Sequence, residues 1–229
     1  MEKHVVSNIQ FTVTEDEFFK AVALERDPGG EDSVRALQLL SQGLEIACPK
    51  YVYCVSAVEE KGDGFVVVEG RRFESKIMRR NLEKPLKIIP YVATCGIEIE
   101  EWSRRFTDLI EQYWVDKLKE LILFKSYTDL QKTVKAAYFQ AQDMSYMSPG
   151  SLADWPLSAQ IPLFDLIGNV VDDIGVKLTD SLLMLPSKSV SGFYFSGVSN
   201  SLEAHYENCK FCPMPNCPGR RAEFSVKTE

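Results

Sequence analysis

No apolar run in this chain approaches the ~20 residues needed to span a bilayer, and its opening, MEKHVVSNIQ, lacks the apolar core of a secretory leader. Both absences predict a cytoplasmic protein with no membrane partner. Positive charge is also in deficit: 26 Lys and Arg face 33 Asp and Glu, and the net charge of −7 argues against nucleic acid as the main partner. There is no internal repeat, no low-complexity segment, and no nucleophile–base triad or paired-carboxylate motif. The regular strand–helix alternation of a doubly wound sheet is missing too. What is present is ordinary in bulk: 229 residues, 45% hydrophobic and 26% charged, enough for one domain, or one and a half, burying about 70–75% of its unfolded surface.

The six cysteines are less ordinary. In a reducing compartment they serve as ligands, redox thiols or buried small hydrophobes rather than disulfides, and Cys48 and Cys54 fit the last use. Three others crowd the end of the chain, Cys209, Cys212 and Cys217 in YENCKFCPMPNCPGRR. Their spacing lets one turning loop aim three thiolates at a point, which suits a soft metal. Pro213, Pro215, Pro218 and Gly219 restrict that loop, and Lys210, Arg220 and Arg221 offset thiolate charge. A fourth ligand would come from Cys95 in YVATCGIE or from His205. An iron–sulfur cluster, which prefers thiolates, favours Cys95; zinc accepts either residue, and a metal-free thiol tail is the third alternative.

Hydrophobic period and turn chemistry predict the elements. Thr14 and Glu17 form a capping box opening a helix over TEDEFFKAVALER. A second helix runs from about Asp32 to Ala47 with Val34, Leu37, Leu40, Leu44 and Ala47 inward. YVYCVSAVEE and GFVVVEG read as a hairpin around KGDG, and PLKIIPYVATC as a further strand. Between them, RRFESKIMRRNLEKPLK holds seven basic residues against two acidic ones, either a solvated loop or a docking patch for an acidic protein. A long helix from about Glu101 to Phe124 carries Phe106, Leu109, Ile110, Tyr113, Trp114, Leu118, Leu121 and Ile122 as a core stripe. Another covers TDLQKTVKAAYFQ, then a turn at MSYMSPGS, a helix in WPLSAQIPLFDLIGNVV, and strands on either side of Pro-Ser-Lys-Ser. The expected fold class is α+β, a largely antiparallel twisted sheet with flanking helices, in a domain of residues 1–200 followed by a cysteine-rich tail, 201–229.

The run IGVKLTDSLLMLPSKSVSGFYFSGV, residues 174–198, resembles the reactivation (activation) domain of cobalamin-dependent methionine synthase in its Leu-Thr-Asp-Ser, Pro-x-x-Ser-Val-Ser-Gly and Tyr-Phe elements. SPGSLADWPLSAQIPLFDLI, residues 148–167, is similar to that family's Pro-Gly turn and following helix. The likeness spans about residues 90–198, reaches more loosely upstream, and stops at the tail. It implies a domain that binds S-adenosylmethionine over a cobalamin held by a neighbouring domain, where an electron from a flavodoxin-type donor and a methyl transfer together restore the active cofactor. It also implies ligand-facing roles for Glu120, Pro149, Gly150, Ser189, Ser191 and Gly192. Without the resemblance, Glu120 reads equally well as an exposed helix carboxylate, and the others as loop-shaping residues.

The chain departs from the pattern at one place. Where the family has Arg-Pro-Ala-x-Gly-Tyr, it reads Tyr146, Met147, Ser148, Pro149, Gly150, Ser151. Both the arginine that grips the methionyl carboxylate and the terminal tyrosine are missing, and charge-assisted hydrogen bonds are each worth ~1.5–3 kcal/mol. The combined expectation is a stand-alone reactivation module serving a cobalamin-dependent methyltransferase, methionine synthase first. It would act in trans on a corrinoid-binding protein or a synthase lacking this domain, with a flavodoxin- or ferredoxin-type donor and a metal at Cys209, Cys212, Cys217 and Cys95. The alternative is a non-catalytic corrinoid-protein adaptor with a zinc-stabilised tail. A third reading keeps methyl transfer from S-adenosylmethionine, with another residue replacing the arginine.

Overall fold

The computed structural model describes residues 1–83, 87–140, 144–151 and 154–196. The cysteine tail, with His205, lies outside the described residues.

The long strand β2 (Lys50–Lys61) organises the sheet. Alternation sends Tyr51 and Tyr53 to one face and Val52 and Cys54 to the other. One edge of β2 pairs with β5 (Lys87–Thr94), while the other edge is shared. Strand β1 (Glu2–Val6) lies against its first half, Glu2 opposite Val55, and β3 (Phe65–Val68) against its second half. A register shift between Val58 and Glu60 marks the changeover, the kind of bulge that bends and twists a strand. Strand β4 (Arg71–Glu74) follows β3, β9 (Ser189–Ser196) pairs with β5, and β6 (Met144–Met147) lies outside β9. Among the described residues the result is a seven-stranded antiparallel sheet, β4-β3-β2-β5-β9-β6 with β1 also on β2. Two short strands, β7 (Lys177–Leu178) and β8 (Met184–Leu185), form a separate ribbon.

Helices cover both faces, as the α+β expectation requires. On the tyrosine face lie α5 (Leu109–Tyr138), and around it α1 (Glu15–Val22), α2 (Glu31–Ile46) and α4 (Ile97–Ser103). On the other face, α6 (Gln160–Ile167) and α7 (Val170–Ile174) bury Leu163, Leu166, Ile167, Val170 and Ile174 against Val52, Val92, Phe193 and Phe195. Each such side chain stabilises the fold by about 1.5–3 kcal/mol. Among the described residues, no helix is long and apolar enough to cross a membrane.

Several expected elements shift. The capping box at Thr14 and Glu17 forms as predicted, but α1 stops at Val22 because Ala23 takes the left-handed conformation. In α2 the inward face is Ser33, Ala36, Leu39, Leu40 and Gly43, and Val34 is exposed. Gly43 marks the close approach of α2 to α5: a Cβ there would lie 2.4 Å from Leu118 Cδ2, so the Leu118 side chain would have to shift. The helix expected over 101–124 and the next one form a single helix, α5, with α4 broken off in front of it. The break leaves Leu109, Ile110 and Tyr113 exposed, while Trp114, Val115, Leu118 and Ile122 are buried. The basic stretch is not a loop either. It holds β4 and the short helix α3 (Lys76–Asn81), which is capped from afar by Asp154 on Ser75 Oγ and the Ile77 amide.

Candidate functional site

The resemblance-bearing segments meet on one side of the sheet. Strand β9 carries Ser189, Ser191 and Gly192, and the turn after β6 carries Ser148 to Ser151. They join through Gly192: a Cβ on it would lie 2.3 Å from the Met147 carbonyl oxygen, 2.9 Å from Tyr91 Oη and 3.0 Å from Ser148 Oγ. Only a residue without a side chain lets the turn sit this low on the strand. The turn closes on itself, with Gly150 at φ +81° and its amide donating to the Trp155 carbonyl at 2.9 Å. Ser151 Oγ donates to the Ser148 carbonyl at 2.5 Å. Pro149 is buried and Gly150 exposed.

Strand alternation separates the remaining candidates. Gly192 and Tyr194 face α5, whereas Ser189 and Ser191 share the opposite face with Phe193. Ser189 Oγ lies 2.9 Å from Thr94 Oγ1 and 2.8 Å from the Pro186 carbonyl, so it braces the preceding loop, and Ser191 is 3% exposed. Glu120 is elsewhere. Its carboxylate accepts from Lys117 Nζ at 2.9 Å on the wall of a groove between α1 and α5 that also holds Lys20, Tyr113 and Phe124. No residue of β6 or β9 lines that groove.

Two groups escaped the sequence reading. The first is a tyrosine cluster from four elements. Tyr91 and Tyr194 stack at 4.3 Å, and Tyr127 and Tyr146 meet edge-on at 6.2 Å. The Tyr91 and Tyr194 hydroxyls are buried among the hydroxyls of Tyr127 and Ser148. Burial raises both phenols well above their ordinary value, so they stay neutral. The second is a polar network beneath the loop 186–189. Lys119 Nζ reaches Glu100 Oε2 at 3.2 Å and Ser103 Oγ at 3.3 Å, both ions being nearly buried. Ser187 Oγ donates to the same Glu100 oxygen at 3.2 Å, and Lys188 Nζ pairs with Asp116 at 2.8 Å. These partners lie far apart in sequence, and the only local signal was a lysine next to Leu118 in an apolar stripe.

Cys95 is fully buried beside α4, its Sγ donating to the Gly96 carbonyl at 3.7 Å. Desolvation, then the Glu100 carboxylate, pushes its thiol up to about 12. Cys54 on β2 is raised by burial to about 11. In this arrangement burial keeps both thiols protonated. No group of three or more His, Cys, Asp or Glu residues able to hold a metal occurs among the described residues.

The fit to S-adenosylmethionine can be tested at the turn. Tyr146 stands where the resembled pattern has its arginine, with its ring against Tyr127 and Tyr194. Lys119 and Lys188 of the network are paired to Glu100 and Asp116. A tyrosine at that position offers no positive charge to grip a carboxylate.

Comparison with known proteins gives a consistent picture. Residues 147–207 match the family model described as vitamin B12 dependent methionine synthase, activation domain. No curated protein matches. Among solved structures, the MetH reactivation domain bound to AdoHcy is similar over 92% of this chain and 84% of its own, with a TM-score of 0.61 and 16% identity. The chain therefore carries the activation-domain signature of vitamin B12 dependent methionine synthase at residues 147–207, on the fold of a reactivation domain.

Proposed function

We propose that this chain is a reactivation module for a cobalamin-dependent methyltransferase, methionine synthase first, acting in trans on a corrinoid-binding protein. One observation carries the reading. The family match begins at Met147, and the same segment forms the turn and strand that pack together through Gly192. Cobalamin held by the partner supplies the methyl-accepting chemistry. This chain supplies a preformed surface: the Ser148–Ser151 turn on one side, the loop 186–189 on the other, and the β9 backbone between them. Ser189 and Thr94 hold the loop, and Gly192 lets the turn lie flat on the strand. Hydrogen bonds made in advance within the turn and loop lower the ordering cost of docking a bulky cofactor. The electron would come from a flavodoxin- or ferredoxin-type donor. Cys209, Cys212 and Cys217 are proposed to hold a soft metal, iron–sulfur or zinc, with Cys95 or His205 as the fourth ligand.

The test uses the full chain, purified anaerobically, with a cobalamin-loaded corrinoid domain of a methionine synthase. Micromolar or tighter docking by titration, and restored methyltransferase turnover once a reduced flavodoxin is added, are the expected results. Absence of docking in every redox state overturns the reading. The alternative, a non-catalytic adaptor, draws support from Tyr146 standing in place of a cation. Cys212→Ala separates the two: an adaptor loses fold or docking, whereas a reactivation module docks but fails to restore turnover. Iron and zinc analysis of the same samples identifies the metal.

A further inference from the structure

The loop Pro186–Ser189 is tied down at every residue. Ser189 Oγ is 2.8 Å from the Pro186 carbonyl. The Cys95 amide donates to the Lys188 carbonyl at 3.0 Å. From the helical side, Ser187 Oγ donates to Glu100 Oε2 at 3.2 Å, and Lys188 Nζ pairs with Asp116 Oδ2 at 2.8 Å. Beneath these, Lys119 holds Glu100 at 3.2 Å and reaches Asp116 at 3.9 Å. Three positive and negative partners on α4 and α5 thus act on one loop through a single connected network. A surface loop with neutral neighbours does not need two charged helices beneath it. The arrangement is also costly unless it achieves something: taking a lysine and a glutamate out of water carries a desolvation penalty that their mutual attraction only partly offsets.

We infer that Glu100, Asp116 and Lys119 are positioning residues that set the conformation of the loop 186–189 for partner docking. This deepens the proposed function and rests on it for the identity of the partner. Glu100 orients Ser187, Asp116 orients Lys188, and Lys119, 3.2 Å from Glu100 and 3.9 Å from Asp116, holds both carboxylates turned toward the loop. None of the three has to touch the partner. Their effect passes through Ser187 and Lys188.

Two measurements on the full chain test it. The first needs no partner: amide hydrogen exchange of Cys95, whose N–H is bonded to the Lys188 carbonyl, in wild type, Ser187→Ala and Asp116→Asn. At least tenfold faster exchange in both variants, with α1 amides unchanged, is expected. Unchanged exchange at Cys95 overturns the inference whether or not any partner docks. The second is docking to the cobalamin-loaded corrinoid domain of a methionine synthase. Both variants should bind about tenfold more weakly while melting within about 2 °C of wild type, and the conservative Ser187→Thr and Asp116→Glu should recover most of the loss. Loss of melting temperature with docking preserved assigns the network a purely structural role and overturns the inference. Failure of the wild type itself to dock defeats the proposed function, and the exchange result then still decides what the network does to the loop.

Discussion

Replacing Gly192 by alanine should damage the chain out of proportion to the added methyl group. The new Cβ would lie 2.3 Å from the Met147 carbonyl oxygen, well inside contact distance, and that oxygen is backbone of the strand paired with β9. Tyr91 Oη at 2.9 Å and Ser148 Oγ at 3.0 Å block the lateral escape. Since β6 is the outer strand, relief comes from lifting Met147 and the turn behind it. Overpacking of this kind costs about 1–3 kcal/mol, and at about 2–4 °C per kcal/mol for a domain of this size the melting midpoint should fall by several degrees. Circular dichroism melts give the midpoint, and titration with the cobalamin-loaded corrinoid domain gives the docking affinity, which should fall further than stability because the displaced turn is part of the proposed surface. Gly29→Ala, with nothing within 4 Å of its Cβ, is the control. A Gly192→Ala chain that melts with wild type and docks equally well would refute the close-approach reasoning.

Four further outcomes follow from the structure. Lys119→Met leaves Glu100 buried without its cation and should destabilise by about 3–5 kcal/mol, read as a lower urea midpoint, whereas the double change with Glu100→Leu should recover a large part of it. Cys95 and Cys54, with thiols raised to about 12 and about 11, should resist iodoacetamide in the native chain, so that Cys48 is the first of these three to gain mass; early labelling of Cys95 contradicts the burial. The hydrogen bond from Lys125, then the Thr14 amide, holds the Glu17 carboxyl below the usual range. Because its folded value is depressed, the stabilisation is present above the unfolded value near ~4.3 and disappears as pH falls through the folded one. The stability gap between wild type and Lys125→Met should therefore be open at pH 7, small because the pair is part-exposed, and closed in acid. Tyr146→Arg places a guanidinium beside the turn, and calorimetry with S-adenosylhomocysteine should show binding that the parent lacks; equal binding by both would mean that another residue already serves as the clamp.

Local chemistry was legible wherever it acts within one or two turns of chain. The capping box at Thr14 and the hairpin around Gly62–Gly64 need only neighbouring residues, and both formed where expected. The order of motifs in residues 148–198 was legible in the same way, because a signature is a property of sequence. Helix phase was legible only in part. In α2, Leu37, Leu40, Leu44 and Ala47 pack on the core as expected, but with Gly43 turned toward Leu118 the helix leaves Val34 exposed. In α5 the stripe continued into Leu109 and Ile110, yet the break after α4 left that end without a surface to pack on.

The candidate site divides along the same line. Residue order alone established that a Pro-Gly turn and a Ser-Val-Ser-Gly strand follow each other, that a cation is missing at Tyr146, and that three cysteines cluster near the end. Tertiary structure decided that Ser189 and Gly192 face opposite ways, that Glu120 lines a different groove, and that Glu100, Asp116 and Lys119 hold a loop some 70 to 90 residues downstream. The reason is physical: a motif records what a backbone segment can do by itself, whereas a buried ion pair or a glycine contact exists only once two distant segments have been pressed together and water has been driven out between them.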